Sequence, residues 1–95
     1  MKLSFHISFF DGSNPYYSFS KEETETIKEV KHWYKNHWND RFDIWDENHD
    51  YRISNTVWGT WVVYKEEKWC DTVLKEYRYL ANAVKFLEKE IQKTT

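Results

Sequence analysis

His32 and His37 are the two residues of this 95-residue chain that could hold a metal ion from one helix, and their spacing argues against it. Five positions apart, they point about 140° away from each other on a helix, whereas the paired histidines of an HExxH zinc site lie on one face. His6 and His49 belong to other segments. No metal site is expected, and the imidazoles should be solvated or at the edge of the core. Cys70 beside Asp71 could be a nucleophile, but that chemistry needs a base and an orienting group from elsewhere, and nothing in the sequence singles out the base, for which His32 and His37 are the only candidates. A small buried apolar role is the expectation for Cys70. Gly12 and Gly59 are the only glycines, and neither opens a phosphate-binding loop. The chain is expected to be no enzyme and to carry no cofactor.

The chemistry that does stand out is aromatic and acidic. Six Trp, seven Tyr and six Phe make up 20 % of the residues, and each ring can bury about 150 to 250 Å². A small core fills quickly, so some rings must reach the surface. Residues 38 to 50, WNDRFDIWDENHD, place Asp40, Asp43, Asp46, Glu47 and Asp50 against Arg41 alone. That local balance of −4 leaves +2 for the rest of a chain whose total is −2. Interleaved with Trp38, Phe42 and Trp45, these carboxylates have the chemistry of a surface for a basic partner: charge steers the encounter and tryptophan supplies contact area. A solvated turn is the plain alternative. Trp58 and Tyr64, in NTVWGTWVVY, complete the candidate partner-binding set of Trp38, Asp40, Asp43, Trp45, Asp46, Glu47, Asp50, Trp58 and Tyr64.

The elements that must position these residues follow from periodicity. Leu3, Phe5, Ile7 and Phe9 alternate with Ser4, His6 and Ser8, the pattern of a half-buried strand. DGSNP then predicts a loop and YYSF a returning strand. Ser20 opens SKEE, a capping box that predicts a helix start, and Ile27, Val30 and Tyr34 supply its apolar stripe. RFDIWDENHDYRIS predicts two strands about a turn near ENHD, with Phe42 and Ile44 on one side and Arg41, Asp43 and Trp45 on the other. TVWGTWVVY predicts a third strand of this group, or an extension of the second across a bulge at Gly59. Trp61 and Val63 should face the core; Trp58, Val62 and Tyr64 should face away. Val73, Tyr77, Leu80, Val84, Leu87 and Ile91 repeat at 4, 3, 4, 3, 4 and predict one long helix over 71–93. With Leu74, Tyr79, Ala81 and Phe86 flanking that seam, the helix has more apolar surface than one sheet would bury, which allows a homodimer through it.

The fold class expected is therefore α+β. Its antiparallel sheet of about four to five strands has two helices packed on one face, in the order β-β-α-β-β-β-α, as a single compact domain over 1–95. Ninety-five residues can bury one core and not two. The opening MKLSFHISFF lacks the apolar core of a signal peptide, no stretch reaches the roughly 18 apolar residues of a membrane span, and a single cysteine makes no internal disulfide. A cytoplasmic protein that does not enter a membrane is expected.

From Ser20 onward the order helix, three strands, helix resembles a double-stranded-RNA-binding domain in outline, but WCDTVLKEY carries no lysine cluster to hold phosphates. Direct nucleic-acid binding is not expected. In its linker-free layout and its WNDRFDIWDENHD segment the chain resembles the small phage or mobile-element inhibitors of the anti-CRISPR type. The resemblance implies a phage-encoded protein that binds a host protein of defence or nucleic-acid processing and blocks it through the acidic, aromatic surface. Two other readings are a nucleotide-binding protein that stacks its ligand on Trp58, Trp61 or Trp45, and a self-associating structural protein.

Overall fold

A computed structural model describes residues 1–93. Eight elements follow one another: β1 (Lys2–Ser8), β2 (Tyr17–Glu22), α1 (Glu23–His37), β3 (Arg41–Asp46), β4 (Tyr51–Asn55), β5 (Trp61–Lys65), β6 (Thr72–Tyr77) and α2 (Leu80–Lys93). The six strands form one open sheet in the order β2-β1-β3-β4-β5-β6, and every neighbouring pair is antiparallel. The α+β class and the element order are as the periodicity predicted, with one strand more than expected.

Both helices cover the same face. Across it, cross-strand register aligns Phe19, Phe5, Ile44, Ile53 and Val63 in one row, and Val30 of α1 with Leu80, Ala83, Val84 and Leu87 of α2 closes over the sheet. Alternation in β1, β3 and β4 puts every second side chain into this core, since successive residues of a strand point to opposite faces. Burying each large side chain is worth about 1.5 to 3 kcal/mol. Trp61 and Val63 are core residues, as their position in VWGTWVVY implies.

Three local predictions are corrected. Ser20 does not cap a helix: it lies within β2, where its hydroxyl accepts from Ser4 Oγ at 3.2 Å. The chain passes straight from β2 into α1 at Glu23, whose N–H bonds the carbonyl of Met1 at 2.7 Å. Thr26, buried in the first turn, ties the helix down by donating toward the carbonyls of Lys21 (3.2 Å) and Leu3 (3.4 Å). These bonds anchor the first turn through carbonyls, while the orphan N–H of Glu23 is taken by Met1 and no side chain caps the helix.

Gly59 is not a bulge. It sits in the turn between β4 and β5 at φ +82°, a conformation that glycine adopts without the Cβ penalty, and its N–H closes the turn on the carbonyl of Thr56 at 3.1 Å.

The helix predicted over 71–93 is a strand followed by a helix. Thr72–Tyr77 pairs with β5 and α2 begins only at Leu80. The pairing of β6 slips between Val63 and Tyr64, and this bulge rotates Leu74 toward the core while Val73 remains exposed. Leu74 and Tyr77 thus contribute to the core from positions three apart, which imitates a helical stripe. Leu80, Ala83, Val84 and Leu87 are the true buried stripe of α2. The surplus apolar surface that allowed a dimer through 71–93 is divided between a strand and a helix that pack against each other, as in the Tyr77–Phe86 contact at 5.9 Å.

Candidate functional site

The face of the sheet away from the helices is built by the alternate residues of the same strands. One row runs Ser20, Ser4, Trp45, Arg52, Tyr64 and Val73, and the next Ser18, His6, Asp43, Ser54, Val62 and Glu76. Arg52 stands at the centre. Its guanidinium approaches Asp43 at 3.8 Å, Glu66 at 3.3 Å and Asp71 at 2.8 Å, and lies 4.6 Å from the centre of the Tyr64 ring. Glu66 also accepts from Trp45 Nε1 at 3.1 Å. Burial, with Asp71 close by, holds the Glu66 carboxyl above the usual carboxylate range. The segment from Glu66 to Asp71 is tied to the sheet through these pairs. Exposed Trp69 and Cys70 lie on it.

Asp43 is 4 % exposed and accepts from Ser54 Oγ and from Arg41 at 2.9 Å, with His6 Nε2 at 3.6 Å. Asp46 is equally buried and takes the N–H of Tyr51 at 2.9 Å, which holds the β3–β4 turn. In that turn His49 adopts φ 57°, in the left-handed region. Its ring stacks on Trp45 at 5.5 Å with 13° between planes, while His6 packs against the same indole at 4.5 Å. Trp45 is therefore occupied by protein rings. A groove of about 600 Å³ opens beside it, with Ser4, Ser18, Ser20, His6 and His49 among its walls.

Strand order places the loops at two ends of the sheet. Register pairs Ser8 with Arg41, Asn55 with Trp61 and Trp61 with Tyr77, so the β1–β2 loop, the end of α1, the β4–β5 turn and the β6–α2 junction share one end. That end carries most of the exposed apolar surface of the described residues: Phe9, Phe10, Tyr16, Trp38, Val57, Trp58 and Tyr79. Trp58 is 85 % exposed and Trp38 60 %. Phe9 packs on Tyr16 at 5.8 Å and Tyr16 on His37 at the same distance. The Tyr16 hydroxyl donates to Asp40 at 2.8 Å, and desolvation together with that carboxylate pushes its ionisation up to about 12, so it stays a donor across the physiological range.

The candidate partner-binding residues are thus separated. Trp38, Asp40 and Trp58 stand at the aromatic end; Glu47 and Asp50 are exposed in the β3–β4 turn at the other end; Asp43 and Asp46 are buried and internally bonded; Trp45 and Tyr64 lie half-buried on the helix-free face. The acidic stretch is no single surface, because β3 carries it from one end of the sheet to the other. Trp58 does not face away on a strand, as predicted, but projects from the turn, and Val62 is buried beside Ser54 and Asp43 on the helix-free face. Arg52 was not singled out from sequence. A hairpin register through ENHD sets it opposite Trp45, and that was the signal available.

Cys70 is exposed, and its neighbour Asp71 is engaged by Arg52. His32 and His37 point apart: His32 is exposed and edges Trp33, while His37 Nδ1 lies 3.1 Å from the Tyr16 hydroxyl and 3.2 Å from Asp40. No helix of the described residues is long and apolar enough to cross a membrane. No family model, curated protein or solved structure matches the chain.

Proposed function

We propose that this chain is a non-enzymatic binding protein that docks on another protein through its aromatic end and inhibits by occupying the partner's working surface. One observation carries the reading: Phe9, Phe10, Tyr16, Trp38, Val57, Trp58 and Tyr79 are exposed at the same end of the sheet, on four separate connections. Isolated exposed hydrophobics are ordinary, but a patch of them marks an interaction site. Trp and Tyr are the residues that dominate binding energy when a partner desolvates them. Short connections anchored to the end of a six-stranded sheet limit the ordering cost of docking. The resemblance to phage-borne inhibitors makes a host defence or nucleic-acid-processing protein the expected target. The exposed acids Glu47 and Asp50 lie at the far end, so contact is carried by rings and the acids are left to steer encounter.

The test is site-specific photo-crosslinking in host lysate after nuclease treatment, with the crosslinker at position 38, 58 or 85. A single protein joined from 38 and 58, and not from Lys85 on the exposed side of α2, is the expected result. Equal joining from all three, or none from 38 and 58, would overturn the reading.

A further inference from the structure

We propose that the cavity between α1, the β4–β5 turn and the start of α2 receives an acidic side chain of the partner protein, held by Lys31 and Arg78 with its apolar stem against Tyr34, Trp61 and Tyr79. This inference rests on the docking reading above. The cavity measures about 220 Å³, below the roughly 300 to 1,000 Å³ of sites for whole small molecules and cofactors. One inserted side chain is what that volume suits. Its walls are rings: Tyr34 and Trp61 meet at 5.2 Å and Tyr79 is exposed at the rim. Gly59 forms part of the rim, at a backbone φ of +82° that favours glycine.

Charge specifies the occupant. Neither Lys31 nor Arg78 has a carboxylate within ion-pair distance among the described residues, and the Arg78 guanidinium is placed 5.8 Å from the Tyr79 ring. The acids of this end are engaged elsewhere: Asp11 accepts from the Ser13 N–H, Asp40 from Tyr16, and Glu76 from the Thr60 hydroxyl. Two uncompensated cations beside three rings match a carboxylate on an apolar stem. A charge-assisted hydrogen bond is roughly twice as strong as a neutral one. The specificity is thus opposite in sign to that of the acidic stretch.

The experiment is an amide and indole NMR titration of the whole chain with 3-phenylpropionate, with 3-phenylpropylamine and a single-stranded oligonucleotide as comparison probes. The expected result is saturable movement of Gly59, Leu80 and the Trp61 indole by 3-phenylpropionate alone. Lys31→Gln with Arg78→Gln, both exposed positions, should weaken that binding at least about tenfold while the other resonances keep their folded dispersion. Equal movement by the amine, movement by the oligonucleotide alone, or no movement in the folded protein would overturn the proposal. The same double variant is then crosslinked from position 58. Joining that persists undiminished overturns the acidic anchor and leaves the docking reading standing, whereas absence of joining in the unsubstituted protein removes the docking reading itself.

Discussion

Arg52 Nη2 donates to the carboxylate of Asp71 at 2.8 Å across nineteen residues of chain, and with the bonds of Glu66 that pair ties the connection between β5 and β6 to the sheet. The same guanidinium faces buried Asp43 and half-buried Glu66. Removing one member of a buried charge network leaves the rest uncompensated, at a cost of roughly 3 to 5 kcal/mol. Arg52→Leu should fall below that range, at about 1 to 2 kcal/mol, because Glu66 and Asp71 are about a third exposed and Arg41 still holds buried Asp43 at 2.9 Å. A lower urea midpoint at unchanged slope is the readout. A midpoint equal to that of the unsubstituted chain would mean that the network adds nothing to the fold.

Burial holds the His6 imidazole below its ordinary value of 6.5, against the opposing pull of Asp43. The unfolded chain therefore takes up this proton at a higher pH than the folded one. The stability associated with neutral His6 is complete above 6.5 and is lost as pH falls from there through the folded value. His6→Gln should flatten the decline of melting temperature in that window. Parallel declines for the two proteins would show that another group is responsible.

Thr26 reaches from the first turn of α1 to the carbonyls of Lys21 and Leu3. Thr26→Val keeps the shape and removes the donor, with an expected loss of about 1 kcal/mol. Thr26→Ser should recover part of it, and chemical unfolding measures both. Loss in Thr26→Ser with none in Thr26→Val would point to packing of the methyl group instead.

Trp38 and Trp58 are exposed and support little of the core, so Trp38→Ala with Trp58→Ala should change stability by no more than about 0.5 kcal/mol per site. Partner binding should weaken by at least about 2 kcal/mol, roughly thirtyfold. Titration of the crosslinked target with each protein checks this. Undiminished affinity in the folded variant would remove these rings from the interface.

Much of the architecture is local in origin and was therefore legible in one dimension. Alternation in Leu3, Phe5 and Ile7 and in Phe42 and Ile44 marks faces of strands, because the period of a strand is two wherever it lies. DGSNP and ENHD mark the hairpins, because a chain reversal draws on the same few polar and glycine-containing residues. Such signals led to the α+β class, the element order and most of the core. They failed at Thr72–Tyr77, where a bulge set Leu74 and Tyr77 three apart and so copied the period of a helix, and at Ser20, whose hydroxyl could serve a cap or a strand pair with equal ease.

The candidate site was less legible, since an end of a sheet is not a segment of a chain. By itself the sequence determined that rings exceed what one core can hold and that the acids of 38–50 outnumber their partners. Only the tertiary structure decided that Asp43 and Asp46 turn inward to Ser54, Arg41 and Tyr51, and that Phe9, Trp38, Trp58 and Tyr79, spread over seventy-one positions of the chain, share one end. The reason is register. Each antiparallel pairing converts distance along the chain into proximity at a strand end, and register is set by the sum of side-chain packing across the sheet, which no window of residues contains.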